Sequence, residues 1–351
     1  MTRLNKDRLG SPLMKTIVCI EPGILEKREV ERPSPSAGEV LVKIKSIGIC
    51  GTDIHAFGGN QPFFEYPRVL GHELSGTIAS LGEGVDLPVG SSVYIIPYLN
   101  CGDCIACNNG KPNCCTNIEV LGVHRDGGMS EYICVPASAV VIADGLTFND
   151  MAIIECLAIG AHAVRRAQLS EHDTVLVQGA GPIGLGTAQF AKVAGAKVFV
   201  SDIREDKLKF CKEAYSLDGV VDASGDVNAQ LAALTDGQYP SVIMDCTGNV
   251  NAMQSTFTNL AHGGKIVFIS VIKKSICFDD PEFHKRETTL LGSRNATAQD
   301  FEFVVSCLKN GSVVSSSLIT HTGKFSELFE DFNQWTKPEN GVIKAVVEMD
   351  E

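Results

Sequence analysis

The chain has 351 residues, long for a single hydrophobic core, so two domains are the default expectation. Its hydrophobic fraction of 44% and charged fraction of 21% are ordinary for a globular protein, and no run of about eighteen apolar residues marks a membrane span. A net charge of −12 argues against nucleic acid as the main partner, because phosphate binding draws on Lys and Arg, while it still allows an acidic substrate held by one local cation.

Residues 1–13 hold Arg3, Lys6, Asp7 and Arg8 without an apolar stretch, so they read as a flexible extension and not as a secretory signal. Thirteen cysteines are an odd number, and five of them fall between Cys101 and Cys115. That clustering points to metal in a reducing, cytoplasmic setting and not to a secreted disulfide framework.

Met14 opens the first predicted strand, residues 15–20. Residues 40–44, 76–80, 92–96 and 131–135 follow as short apolar runs bounded by turn residues. Residues 14 to about 150 therefore predict a β-rich, barrel-like domain. The pattern changes near Asp150. Met151 to Ala167 predicts a helix, and strands at 174–178, 196–201, 241–245 and 265–270 then alternate with helices starting after Gly181, at Glu205 and at Asn251. This is the rhythm of an α/β fold with a doubly wound parallel sheet. From about Ala296, two helices and a last strand at 342–348 are expected to return to the first domain.

The strand at 174–178 runs into Gly179-Ala180-Gly181-Pro182-Ile183-Gly184, a G-x-G-x-x-G turn opening a helix. In that context Gly179 makes the tight turn, Gly181 lets a pyrophosphate approach the backbone, and Gly184 lets the helix pack on the sheet. Asp202 ends the next strand, 18 residues after Gly184, where a carboxylate bonds a ribose and repels a 2′-phosphate. This favours NAD over NADP, although Arg204 nearby is a residue type that tolerates the phosphate.

Cys101, Cys104, Cys107 and Cys115 follow C-x2-C-x2-C-x7-C. Four thiolates complete a closed tetrahedral zinc site of the structural kind, in a segment of loop formers with no evident apolar core. Cys114 adjoins Cys115 and competes with it as fourth ligand; the spacing favours Cys115.

Gly48-Ile49-Cys50-Gly51-Thr52-Asp53-Ile54-His55 and Gly71-His72-Glu73 form a second metal candidate. The order of these motifs, then the cysteine lobe, an early-helix Glu155 and the glycine turn resembles the zinc-containing medium-chain alcohol dehydrogenases over residues 14–351. The resemblance implies a GroES-like catalytic domain over 14–156 and 297–351 and a Rossmann NAD-binding domain over 157–296. It implies a catalytic zinc on Cys50, His72 and Glu155, with Glu73 as a neighbouring carboxylate or alternating ligand. A mixed sulfur, nitrogen and oxygen set suits catalytic zinc. Zinc acidifies a hydroxyl and the nicotinamide takes hydride. Thr52 and His55 are then expected to carry the proton outward, His having a suitable pKa. Many relatives read Glu-Pro where this chain has Glu155-Cys156, which makes Cys156 a possible competitor for metal.

Within the family the chain is more similar to the sorbitol and threonine dehydrogenase branch, and in it to bacterial enzymes that oxidise an aldonate at C5. Residues 58–64, 121–124, 282–287 and 292–297 carry that likeness. It implies L-galactonate oxidised to D-tagaturonate, with a polyol, L-idonate, L-gulonate or L-threonine as alternatives. A sugar acid needs a cation for its carboxylate; Arg294, with Asn295 beside it, is the first candidate and Arg125 the second. Phe63 and Phe64 either wall the pocket or fill the core. A homodimer or homotetramer is expected, joined through an edge strand near residues 265–270. The competing class is a zinc-stabilised NAD-binding scaffold without turnover, against which the complete ligand set speaks.

Overall fold

The computed structural model describes residues 12–61 and 64–350. Six strands form one parallel sheet in the order Gly219–Asp222, Lys197–Asp202, Thr174–Gln178, Val242–Asp245, Lys265–Phe268 and Thr289–Gly292. Its central strands are apolar on both faces, as a sheet covered by helices on each side requires; Val175, Leu176, Val177, Val198, Phe199 and Val200 are all buried. The order reverses on either side of Thr174–Gln178, which places a crevice at the C-terminal end of that strand. The helix Ile154–Ala167 packs against the helix Pro182–Val193, and Gly160 permits it: a Cβ there would lie 2.7 Å from the Thr187 backbone nitrogen.

A second sheet of seven strands centres on Glu39–Ile49, which pairs antiparallel with Glu73–Leu81, Tyr132–Pro136 and Lys344–Glu348. The last of these strands comes from the chain's C-terminal end and carries Ile319–Lys324 parallel beside it. The C-terminal part thus returns to the sheet begun near residue 39, Ile319–Lys324 following the helix Ala298–Lys309 and Lys344–Glu348 following the helix Leu328–Trp335. A small sheet flanks the unit, with Leu13–Glu21 between Ile24–Glu31 and Arg68–Val69.

Three expectations change. The helix expected over Met151 to Ala167 is two helices, Phe148–Ala152 and Ile154–Ala167, parted at Ile153. A reciprocal Thr147–Asp150 cap starts the first helix three residues before Met151. The strand Lys265–Phe268 is not an edge, because Thr289–Gly292 pairs along its outer side and takes that place. Of the expected N-terminal extension, residues 1–11 lie outside the described residues, and Leu13 already belongs to the first strand. Among the described residues no helix is long and apolar enough to cross a membrane.

Candidate metal and dinucleotide sites

The glycine turn is built as its chemistry needs. Gly179 has φ +97°, a left-handed conformation that favours glycine. Gly181 faces open space where a Cβ would stand and caps the helix Pro182–Val193. A Cβ on Gly184 would lie 1.8 Å from the Gly179 carbonyl oxygen, so the helix can sit this close only with glycine. Pro182 occupies the first helical turn, where its missing N–H costs no helical bond, and Ile183 follows it half-buried. The Asp202 carboxylate accepts from the Ala180 N–H at 2.8 Å and the Arg204 N–H at 3.0 Å, which ties the end of its strand to the turn. The Arg204 side chain is engaged elsewhere: it donates to Asp206 at 3.0 Å and to the Pro338 carbonyl at 2.7 Å.

In the lobe, the sulfurs of Cys101, Cys104, Cys107 and Cys115 lie within 4.8 Å of one another. Cys114 is exposed and outside that group. The segment has little apolar filling, Ile105 being 74% exposed, so the sulfur cluster is its centre. Backbone N–H groups of Cys101 and Asn117 each donate to the Cys115 sulfur at 3.3 Å. Those of Cys107 and Thr116 pull the Cys104 thiol down to about 5. A thiolate stabilised in this way is the form that binds metal, whereas the Cys101 and Cys107 thiols are pushed up, by Asp103 and by burial respectively.

The other donor group arises from sheet register. Gly48 stands opposite Glu73, which brings the segment ending at Cys50 beside the one starting at His72. The approach depends on glycine: a Cβ at position 48 would lie 2.1 Å from Glu73 Oε2. The donor atoms of Cys50, His72 and Glu73 lie within 4.8 Å of one another. Asp53, one helical turn after Cys50, is buried and accepts from the N–H groups of Cys50 and Gly71 at 3.0 Å each. It also lies 3.7 Å from His72 Nδ1, a buried nitrogen with no hydrogen-bond partner. Burial opposes charge on His72, yet Cys50 and Asp53 push its pKa well above the usual histidine range. A group so rich in negative donors suits a cation, and sulfur, nitrogen and oxygen together suit zinc.

The sequence expectation set Glu155 with Cys50 and His72 and made Glu73 the neighbouring carboxylate or alternating ligand. Glu73 is the carboxylate of the tight group, and Glu155 stands outside its 4.8 Å limit. It is buried near the start of the helix Ile154–Ala167, accepts a hydrogen bond from the Tyr98 hydroxyl, and feels the charges of His72 and Glu73. Glu73 is itself neutralised. Lys344 Nζ donates to its two oxygens at 2.7 and 2.8 Å and to the Ile49 carbonyl at 3.1 Å, with Lys344 and Glu73 both buried. Burial pushes the Cys156 thiol well above its usual range, and Cys156 is outside the donor group. Thr52 and His55 share the helix Gly51–Phe57, half-buried and exposed respectively.

Arg294 is exposed, and its carbonyl accepts from Asn113 at 2.9 Å. The Asn295 amide donates to the Asn113 carbonyl at 3.2 Å, a contact with the cysteine lobe. Arg125 is ion-paired with Glu119 at 3.5 Å. Phe63 lies outside the described residues; Phe64 packs edge-on against Tyr66 beside the core. Sequence reasoning passed over Asp53, Tyr98 and Lys344. A lysine within the apolar run 342–347 was a signal for the last, and the three-residue spacing of Cys50 and Asp53 for the first.

Residues 36–144 match the family described as alcohol dehydrogenase GroES-like domain, and residues 182–310 match zinc-binding dehydrogenase. The chain belongs to the zinc-binding alcohol dehydrogenases: it is an oxidoreductase acting on CH–OH groups with zinc and a nicotinamide dinucleotide. It is 45% identical over 335 residues to the L-galactonate-5-dehydrogenase of Escherichia coli K12, covering 95% of this chain and 98% of that one. It is 32% identical to a sorbitol dehydrogenase of Halalkalibacterium halodurans, over 90% of this chain and 94% of that one. An alcohol dehydrogenase from E. coli CFT073, solved in complex with NADH, superposes with a TM-score of 0.91 at 34% identity, covering 96% of this chain and all of that one.

Proposed function

We propose that the chain oxidises the C5 hydroxyl of L-galactonate to give D-tagaturonate, with NAD as acceptor. The observation that carries the reading is the 45% identity, along nearly the whole chain, to an enzyme of that name. Cys50, His72 and Glu155 would hold the catalytic zinc, with Glu73 beside it, and Cys101, Cys104, Cys107 and Cys115 would hold a structural one. Bound there, zinc acidifies a hydroxyl and NAD accepts hydride.

The chain's own residues do the rest. Asp53 fixes the backbone on both sides of the donor group, and Tyr98 orients Glu155. Thr52 takes the substrate proton and exposed His55 passes it to solvent. Gly179, Gly181 and Gly184 admit the pyrophosphate, and Asp202 discriminates against a 2′-phosphate. Arg204 does not counteract it, because Asp206 and the Pro338 carbonyl occupy its guanidinium. Arg294 is the exposed cation offered to the substrate carboxylate. The catalytic unit comprises 14–156 and 297–351, and the dinucleotide unit 157–296. The unpaired edge Thr289–Gly292, with Leu290 exposed, supports a homodimer or homotetramer built by continuing this sheet. A reducing, cytoplasmic setting fits the clustered thiols.

A panel of aldonates and matching polyols, each with NAD and NADP and read by reduced-nicotinamide absorbance, tests this. L-Galactonate with NAD should give the highest kcat/KM. No turnover of any aldonate, with turnover of sorbitol, would retire the sugar-acid reading.

A further inference from the structure

A buried polar chain joins the cysteine lobe, the helix Ile154–Ala167 and residues 294–300. Asn113, in the lobe between Cys107 and Cys115, is 5% exposed. Its side-chain amide donates to the Arg294 carbonyl at 2.9 Å and lies 3.3 Å from His162 Nε2. His162 Nδ1 lies 2.8 Å from Asp300 Oδ2. Arg165 grips the same carboxylate at 2.6 and 3.0 Å, and the Thr297 N–H and hydroxyl complete its shell at 2.8 Å each. The network fixes the tautomer. Asn113 has only N–H to offer Nε2, so Nε2 accepts, and His162 donates from Nδ1 to Asp300. Arg165 Nη2 also lies 3.3 Å from His162 Nδ1, beside the carboxylate they share, and a buried polar network of this kind specifies a unique arrangement when its members are paired.

The placement gives this chain a consequence for the catalytic centre. His162 lies seven residues after Glu155 on the helix Ile154–Ala167. Seven residues are two helical turns, about 10 Å, and return to the same face. The helix is a rigid rod between the buried carboxylate near its start and the buried imidazole two turns along. Asn113 connects that imidazole to the lobe, and Asn295 adds a second contact to the Asn113 carbonyl from the segment leading into the helix Ala298–Lys309.

We propose that Asn113, His162 and Asp300 form a latch that docks the four-cysteine lobe onto the Glu155 helix, with His162 as the positioning residue, so that metal loading of the lobe sets the placement of Glu155. The latch rests on the assignment of the lobe as a zinc site and of Glu155 to the catalytic zinc.

The test uses the zinc-loaded full chain under excess chelator, following zinc release and thiol exposure together. Release that frees four thiols per zinc reports the lobe, and release that frees one reports the catalytic site. Asn113→Ala removes the lobe end. His162→Asn keeps a donor near the place of Nδ1 for Asp300 and leaves nothing at the place of Nε2. Each should speed lobe release roughly 5- to 30-fold, the equivalent of one or two buried hydrogen bonds, and the double variant should be no faster than the faster single. In wild type, kcat should fall as the lobe empties while KM for NAD holds. Phe257→Leu, a core change on the far side of the parallel sheet, should leave lobe release at the wild-type rate even where it lowers Tm. Unchanged lobe release in both singles, additive effects in the double variant, or full kcat after the lobe empties would each overturn the latch. A wild type showing no four-thiol zinc would instead refute the zinc assignment beneath it.

Discussion

Lys344→Met removes an ammonium that serves two strands and one carboxylate. The pair it breaks is wholly buried: Lys344 is 1% exposed and Glu73 0%. Burial depresses a lysine pKa, but the paired Glu73 carboxylate more than offsets this and holds Lys344 far above its usual value, so the ammonium is the only form that matters near neutrality. Methionine matches the length of the stem and leaves Glu73 and the Ile49 carbonyl without their donor. Removing one partner of a buried pair costs about 3–5 kcal/mol, because the remaining charge stays desolvated. At roughly 2.1 cal/mol/K per residue of unfolding entropy, that loss lowers Tm by about 4–7 °C if the chain melts as one unit. The assay is thermal unfolding of the metal-free protein, run as a double-mutant cycle with Glu73→Gln. The Lys344→Met/Glu73→Gln double variant should be at least about 2 kcal/mol more stable than the sum of the single losses predicts. A loss below about 1 kcal/mol for Lys344→Met, or strict additivity, would refute the reasoning that this pair is desolvated and coupled. Added zinc should narrow the deficit of the single variant, since a second cation then faces Glu73.

Gly48→Ala should cost about 1–3 kcal/mol of stability and lower kcat, because its Cβ would meet Glu73 at 2.1 Å; wild-type stability in urea would contradict the close approach. Asp202→Ala should reduce kcat/KM for NAD by roughly 5- to 150-fold and raise relative use of NADP, while Asp206→Asn should raise NADP use only a few-fold, since its pair with Arg204 is largely exposed. Paired kinetics with both cofactors decide this, and a wild type that already prefers NADP would overturn it. Burial pushes the Asp300 carboxyl up, but His162, Arg165 and Thr297 hold it well below the usual range. Its stabilisation is therefore complete above about pH 4 and drains away as pH falls further toward the folded value. Urea midpoints from pH 6 to pH 3 should fall in wild type and flatten in Asp300→Asn; parallel curves would contradict the assignment.

The parts legible in the sequence were those whose chemistry is local. The glycine turn needs three glycines within six residues, and Gly179 makes the tight turn and Gly184 the close helix approach that their spacing implied. The four-cysteine lobe is equally local, and burial separated Cys115 from Cys114 as the spacing had favoured. What stayed hidden depends on register between distant strands. Lys344 meets Ile49 and Glu73 only because Lys344–Glu348 and Glu73–Leu81 flank Glu39–Ile49 on opposite sides. Tyr98 reaches Glu155 across 57 residues, with no spacing to announce it. The strand Ile24–Glu31 went unread because five of its eight residues are charged and its half-buried positions, Leu25, Arg28 and Val30, do not alternate regularly. The edge position of Thr289–Gly292 went unread because its four residues carry too short an apolar pattern to separate from a loop.

The most direct test of the account is zinc content measured together with L-galactonate-dependent NADH formation in wild type and Cys50→Ala. Wild type should hold two zinc per chain and turn over. Cys50→Ala should stay folded, keep the four-thiol zinc, and lose turnover by about a thousandfold or more, the scale of several kcal/mol of lost charge stabilisation. A Cys50→Ala protein that still forms NADH from L-galactonate near the wild-type rate would contradict the claim that the metal at Cys50 and His72 performs the oxidation.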